Sequence, residues 1–156
     1  MRLNTLIRRI EKVRDEVVPA VRAACEKEAS WIVSANREQL AEGLNAEGVL
    51  MNGGVYSPTS VRQRAKRGLP VDHVYLSYEG DMQAGMQVEY SETGFSVKTS
   101  DWKQELVDYT METGHWPPGN QPEYGPVFGL TAEKRGELAR RIAPNVARAV
   151  RRRLVG

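Results

Sequence analysis

Two short runs of alternating residues constrain the fold of this chain more than any other feature. Apolar and polar side chains alternate in MQVEY at 86–90 and in FSVKT at 95–99, which is the period of a half-buried strand. The sequence SETG separates the two runs, and its length and its glycine suit a short hairpin loop. This stretch predicts a two-stranded antiparallel sheet, and the helical patterns on both sides of it predict an α+β fold.

Apolar residues recur at helical spacing at both ends of the chain, which predicts a long helix at each end. The N-terminal set is Leu3, Leu6, Ile7, Ile10, Val13 and Val17, and the C-terminal set is Leu138, Ile142, Val146, Val150 and Leu154. Because proline removes a helix donor and crowds the preceding turn, Pro19 should either kink one long helix or begin a second helix at 19–42. Pro144 is expected to interrupt the last helix, whose start Thr131 can cap.

The length of 156 residues indicates one domain that is large enough to bury a core. We divide it into a helical arm at 1–43, a region of sheet and loops at 44–130, and a basic C-terminal helix at 131–156. The expected core combines the apolar positions of the two strands and of the helices around them. These positions are Met86, Val88, Phe95, Val97, Leu106, Tyr109, Leu138, Ile142 and Val146.

Weaker patterns in the middle of the chain predict three further local structures. The residues at 45–56 contain two turn signals and indicate a small ribbon or an ordered loop. Val74 and Leu76 suggest an additional strand at 71–76. Asp101 can cap a short helix at 102–112.

The sequence contains no pattern that is typical of a catalytic or metal site. Its two histidines, His73 and His115, are far apart, and no HExxH or CxxC sequence accompanies them. The glycine cluster at 52–54 lacks the lysine and hydroxyl residue of a phosphate-binding loop. Four acidic residues along 101–112 could form a carboxylate pair or a cation site, but we favour a solvated helix face. We therefore expect no enzyme activity, no metal and no cofactor.

The single cysteine, Cys25, excludes an internal disulfide framework. Its position on an apolar helix face favours a buried core residue over a reactive thiol. No apolar run approaches the roughly 20 residues that span a bilayer, and the charged N-terminus lacks the apolar core of a signal peptide. We therefore expect a protein of a reducing compartment without a membrane partner.

Charge is unevenly distributed along the chain. The net charge is +2, but residues 132–156 carry eight Lys or Arg against two Glu, so the remainder carries −4, with its acidic excess at 81–123. A basic end and an acidic middle can pair with copies of the same chain or with another oppositely charged partner. A second group of cations is either a nucleic-acid patch or, as we favour, a solvated helix face. It consists of Arg62, Arg64, Lys66 and Arg67.

Five short pieces of the sequence, taken in order, form a pattern of another kind. They are NREQLAEGLNAEG, YSP, VDHVYLSYEGDMQAGM, GFSVKTSD and YGPVFGLT. Together they resemble the small neck and tail-completion proteins, or head–tail joining proteins, of long-tailed bacteriophages. The likeness covers about 36–138, and its most telling parts are at 71–72, 79–82 and 124–131.

The resemblance implies an α+β fold with a small antiparallel sheet packed by helices, and a structural role without enzyme activity. It implies assembly into a ring of identical subunits, expected to be a hexamer, with tail-tube and connector or neck proteins as further partners. It also implies a position in the virion neck or tail, after assembly in the host cytoplasm. The edge of the strand predicted at 71–76 would then be available to pair with the next subunit.

Seven residues are candidates for the partner interface. They are Arg148, Arg151, Arg152, Asp81, Asp101, Asp108 and Phe128. Opposite charges on separate parts of one chain suit a heterologous contact, which closes into a ring when its rotation permits. The alternative is a nucleic-acid-binding module that uses the arginine-rich C-terminal helix, although the sequence contains no recognised reading motif.

Overall fold

The computed structural model of the chain describes residues 3–74, 76, 80–92, 94–100 and 124–155. Its helices are α1 (Leu3–Lys27), α2 (Ala29–Ala41), α3 (Pro58–Lys66), α4 (Asp81–Ala84) and α5 (Ala132–Val155), with a 3₁₀ turn at Met51–Gly54. Strands β1 (Met86–Tyr90) and β2 (Phe95–Thr99) form an antiparallel sheet. The predicted α+β fold, with a long helix at each end and a small antiparallel sheet, is confirmed. The helix predicted at 102–112 lies outside the described residues.

The hairpin forms in the register that the alternation predicts. Met86 pairs with Thr99 and Tyr90 pairs with Phe95, which leaves 91–94 as the connecting loop. The Ser91 N–H donates to the Gly94 carbonyl oxygen at 2.9 Å and closes this loop. One face of the sheet lies on the core, while α2 packs against β1 and α4 packs against β2.

Neither proline ends its helix. α1 continues through Pro19 and α5 continues through Pro144, so the expected interruption of the last helix is wrong. Of the two alternatives for Pro19, the one that places it inside a longer helix is correct, and the break before α2 falls at Glu28. Both prolines are exposed, so water can bind the carbonyl groups that lose a helical donor. Thr131 caps α5 as predicted, since its hydroxyl oxygen accepts from the Lys134 N–H at 3.3 Å.

The core is centred on α2. Ile32 and Leu40 of this helix are fully buried, together with Met51, Val74 and Val127 from the segments that cover it. At the end of α1, Cys25 belongs to the same core, as predicted. Burial, and then the nearby Glu28 carboxylate, raises the pKa of its thiol, which therefore stays protonated at neutral pH.

The predicted core residues occupy the edge of this cluster more often than its centre. Met86, Val97 and Leu138 are buried, whereas Val88, Phe95 and Ile142 are partly buried and pack against the cluster. Val146 is half-buried. Leu106 and Tyr109 lie outside the described residues. The sheet therefore covers a core that α2 and the residues at 124–130 build.

The strand predicted at 71–76 does not form in the described residues 71–74 and 76. Val74 is buried there in irregular backbone. Side chains hold this segment in place, because the Arg64 Nε–H donates to the Pro70 carbonyl oxygen at 2.9 Å and His73 bonds to the Ala41 carbonyl oxygen. The apolar residues of this segment therefore belong to a loop that Val74 anchors in the core, and not to a strand. The proposed pairing edge is therefore wrong for these residues.

Three buried amide side chains attach the residues before α5 to α2, and we call this set the amide clamp: Asn36, Gln39 and Asn45. The Asn36 and Gln39 amide groups both donate to the Gly129 carbonyl oxygen, at 2.8 and 3.0 Å. Gln39 also donates to the Asn45 carbonyl oxygen at 2.9 Å and accepts from the Thr131 N–H at 2.9 Å. The clamp thus satisfies backbone groups of an irregular segment that would otherwise be buried without partners.

Asn45 extends the clamp to the loop after α2. Its side-chain oxygen accepts from the Glu47 and Val49 N–H groups, at 2.9 and 3.0 Å, and its amide donates to the Tyr124 carbonyl oxygen at 3.1 Å. A single β-bridge joins Leu44 and Leu50, so the residues at 45–56 form an ordered loop, one of the two forms predicted.

Candidate interaction surfaces

The three arginines predicted to contact a partner lie on the C-terminal half of α5. Arg148, Arg151 and Arg152 are all exposed, and their spacing of three and four residues places them near one another on the helix surface. None of them forms an ion pair with another described residue. The end of α5 therefore carries positive charge that the described part of the chain leaves uncompensated.

The N-terminal half of α5 is different, because some of its cations pair within the chain. Lys134 lies 3.2 Å from the Glu38 carboxylate, whose hydrogen bond is the largest cause that raises the pKa of Lys134. Arg141 lies 2.8 Å from the Glu28 carboxylate and also 5.0 Å from the centre of the Trp31 ring. Exposed pairs contribute only about 0–1 kcal/mol each, so their main effect is to orient α5 on α2 and on Glu28, the residue before it.

The other predicted interface residues divide into three cases. Phe128 is only 3% exposed and packs in the core beside Val127 and Leu130, so its assignment to a partner interface is wrong. Asp81 is the first residue of α4. Asp101 and Asp108 lie outside the described residues, and the proposed acidic surface remains a prediction.

The cations of α3 do not form one continuous patch. Arg64 is 5% exposed, stacks 4.6 Å from the centre of the Tyr56 ring, and holds the Pro70 carbonyl oxygen. It serves the fold and cannot contact nucleic acid there. Arg62, Lys66 and Arg67 are exposed, which agrees with a solvated helix face.

An apolar groove lies between α1 and the tip of the hairpin. Its volume is about 250 Å³, and its apolar walls include Val17, Val18 and Val21 from α1 and Phe95 from β2. Tyr90 fixes the hairpin tip there, because its hydroxyl donates to the Cys25 carbonyl oxygen at 3.0 Å. Val18 is 53% exposed, so the described residues leave this groove open to solvent.

A second uncovered apolar surface is a loop, which we call the aliphatic loop and define as 49–55. Val49, Leu50 and Val55 are exposed, with Val55 at 65%, while Met51 between them is buried and anchors the loop. Asn52 adopts a positive φ of 49°, and its side-chain amide donates to the Val55 carbonyl oxygen. The loop therefore presents three aliphatic side chains from a fixed backbone.

The groove and the aliphatic loop lie at opposite ends of α2. The hairpin tip is attached to Cys25, three residues before Glu28 and the start of α2. The aliphatic loop is attached beyond the other end, where the Met51 N–H donates to the Gly43 carbonyl oxygen at 2.8 Å. The 13 residues of α2, about 20 Å long, lie between the two attachment points. Both were missed from sequence, although the paired valines at 17–18 and the aliphatic residues around 52–54 were available signals.

His73 and Asp72 form the most distinctive titratable pair in the described part of the chain. The His73 Nδ1 atom lies 2.8 Å from the Asp72 carboxylate, and its Nε2 atom faces the Ala41 carbonyl oxygen at the end of α2. Only the imidazolium can donate to both acceptors. The Ala41 carbonyl and then Asp72 raise the pKa of His73, and the His73 hydrogen bond lowers the pKa of Asp72.

We expect this pair to make stability depend on pH. A His whose pKa is raised on folding stabilises the fold below its unfolded pKa, near 6.5, and this contribution disappears as pH rises through the folded value. The difference in unfolding free energy between wild type and His73→Gln should therefore be larger at about pH 5.5 than at about pH 8. Urea unfolding at both pH values measures it, with Asp72→Asn as a variant that should reduce the pH dependence. The same difference at both pH values would contradict the expectation.

The described residues contain no group of three or more His, Cys, Asp or Glu side chains arranged to hold a metal ion. Among the helices of the same residues, none combines the length and hydropathy needed to cross a bilayer. Comparison of the chain with protein-family models, with curated proteins and with solved structures found no match.

Proposed function

We propose that this chain is a structural subunit of a long-tailed bacteriophage virion, one copy in a ring at the head–tail junction or at the end of the tail. The proposal begins from the likeness of five sequence pieces to neck and tail-completion proteins. The observation that carries it further is the amide clamp, since the clamp joins two of those pieces in space.

The clamp gives the sequence likeness a structural meaning. NREQLAEGLNAEG contains Asn36, Gln39 and Asn45, and YGPVFGLT contains their backbone partners at 124–131. These pieces are about 90 residues apart in sequence, and Asn36 nevertheless bonds directly to Gly129. Residues that are far apart in sequence and depend on one another for buried hydrogen bonds form one structural unit of this chain. They support the family assignment more than scattered surface matches would.

The arginines at the end of α5 support a role in assembly. Arg148, Arg151 and Arg152 leave a concentrated positive charge on the surface, whereas Arg141 is already neutralised by Glu28. An acidic surface on another copy or on a neighbouring virion protein is a suitable partner. Such charges guide and orient an encounter, and apolar contacts provide most of the affinity.

Purified wild-type protein should form a closed oligomer with a constant number of copies, visible as rings by negative-stain electron microscopy and countable by light scattering. The triple variant Arg148→Glu/Arg151→Glu/Arg152→Glu should raise the dissociation constant of the oligomer by on the order of tenfold or more, because it replaces attraction by repulsion. Its matched control is the same change at Arg8, Lys12 and Arg14, three exposed cations in the first half of α1. Circular dichroism establishes that both variants are folded.

Nucleic-acid binding is the second candidate, and the same three exposed arginines are the observation in its favour. A basic helix face that contacts phosphates gives an affinity that falls steeply with salt. The ring proposal would be overturned if the wild-type protein stayed monomeric and bound duplex DNA with this salt dependence, and if the α5 variant lost that binding. Fluorescence anisotropy at several salt concentrations makes the measurement.

A further inference from the structure

We infer that copies of this chain associate head to tail, with the aliphatic loop of one copy seated in the apolar groove of the next. The inference rests on the proposed function only in taking a second copy of the chain as the partner. It assigns the contact to two surfaces that are separate from the arginines of α5.

The groove and the loop match in chemistry. The groove is a recess lined by valines and Phe95, and the loop exposes the aliphatic side chains of Val49, Leu50 and Val55. A cavity of about 150 Å³ already accepts benzene, so about 250 Å³ accommodates branched aliphatic side chains from the loop. Burial of exposed aliphatic surface on both sides would stabilise the contact by about 25 cal/mol per Å² before the entropy of association is subtracted.

The aliphatic loop is already ordered in the single chain. Met51 anchors its centre, the Leu44–Leu50 bridge holds one side, and Asn45 accepts hydrogen bonds from the backbone at its base. A surface that is fixed before binding loses little conformational entropy on association. This distinguishes the loop from an exposed aliphatic segment that would have to fold on its partner.

The charges beside the two surfaces are complementary. α3 begins three residues after Val55, contains no acidic residue, and exposes Arg62 and Lys66. Glu92 lies on the rim of the groove and has no ion-pair partner among the described residues. Arg22, on the same rim, is paired with Glu26 at 3.1 Å. The exposed Glu47 precedes the loop on its other side, so the attraction comes from α3, whose two cations would face a groove with an uncompensated negative charge on its rim.

The positions of the surfaces determine the symmetry of the contact. Because loop and groove lie at opposite ends of α2, a copy that inserts its loop into a neighbour keeps its own groove free for a third copy. This is a heterologous contact, which produces a closed ring or an open filament according to its rotation. A ring is the outcome that the proposed function requires.

Two single variants test the contact, Val18→Glu in the groove and Val55→Glu in the loop. Both side chains are mostly exposed in the single chain, so the variants should fold normally. Each should be a monomer at concentrations where wild type is an oligomer, because a carboxylate would be buried at every contact. Ile7→Glu is the matched control, since it changes an exposed aliphatic residue of α1 about 15 Å from the groove along the helix.

Mixing the two variants distinguishes a heterologous contact from any other. Val18→Glu keeps an intact loop and Val55→Glu keeps an intact groove, so an equimolar mixture should give a one-to-one heterodimer and nothing larger. Light scattering after size-exclusion chromatography detects it. The loop-in-groove contact would be overturned if either single variant formed the same oligomers as wild type. It would also be overturned if the mixture gave no heterodimer. Neither result would contradict the ring proposal. A wild type that is monomeric at every concentration would overturn the ring proposal as well.

Discussion

Replacement of Gln39 by methionine should lower the free energy of unfolding by on the order of 2 kcal/mol. Gln39 is 2% exposed, and methionine has a similar volume, so the change removes polar atoms without creating a large cavity. It leaves the Thr131 N–H without the partner that Gln39 supplies, whereas the Asn45 carbonyl oxygen keeps its hydrogen bond from the Gly48 N–H. Each buried polar group that loses its partner costs about 1–3 kcal/mol. The Gly129 carbonyl keeps its bond to Asn36, which limits the loss.

Urea unfolding followed by circular dichroism measures this change, with Gln63→Met as the control. Gln63 is also in a helix but is exposed, so its replacement should change the unfolding free energy by less than about 0.5 kcal/mol. A domain of this size has only about 5–15 kcal/mol of stability, so the loss at Gln39 should be plain in the transition midpoint. Equal effects of the two variants would show that the amide clamp does not hold the residues before α5.

The hairpin was predictable from sequence because its signal is local. The alternation in MQVEY and FSVKT places every second side chain on one face, and a four-residue loop fixes the register. The N-cap at Thr131 has the same local character, since the hydroxyl bonds to backbone three residues away. The prolines misled the prediction because their effect depends on exposure: water can satisfy the carbonyls beside Pro19 and Pro144.

The centre of the core was not predictable in the same way. Asn36 and Gln39 occupy buried positions of α2, so polar residues interrupt the apolar periodicity of that helix where burial is deepest. Phe128 lies in YGPVFGL, whose glycines and proline indicate a surface turn. The turn is instead held inside the molecule by amide side chains from α2. No local rule identifies a pairing between residues 36 and 129.

The candidate interaction surfaces also differ in how far the sequence predicts them. The excess of arginine at the end of α5 was visible in the sequence, but which cations are neutralised depends on tertiary contacts such as Arg141 with Glu28. The groove combines Val18 with Phe95, and its existence depends on how the hairpin tip meets α1. Composition therefore predicted a charged candidate surface, and the fold was needed to find the apolar candidates.

Replacement of Gly43 by alanine should destabilise the fold by roughly 2–4 kcal/mol, because a methyl group has no space there. Gly43 follows α2 with φ of +78°, a conformation that costs an L-residue about 1–2 kcal/mol. An added Cβ would lie 2.9 Å from the Val74 carbonyl oxygen and 3.2 Å from the His73 ring. The first of these is a backbone atom of a buried residue, so the segment at 71–74 would have to move away from α2.

The variant Gly68→Ala separates the two contributions to this loss of stability, the steric clash of the new Cβ and the strain of a positive φ. Gly68 has a similar φ of +68°, but nothing lies within 4 Å of the position that its Cβ would take. The two variants share the strain of a left-handed alanine and the reduced entropy of the unfolded chain. Gly43→Ala should therefore be less stable than Gly68→Ala by about 1–2 kcal/mol in urea unfolding, which is the contribution of the clash alone. Equal losses in the two variants would mean that the residues at 71–74 do not approach the end of α2 as closely as Val74 and His73 do in this fold.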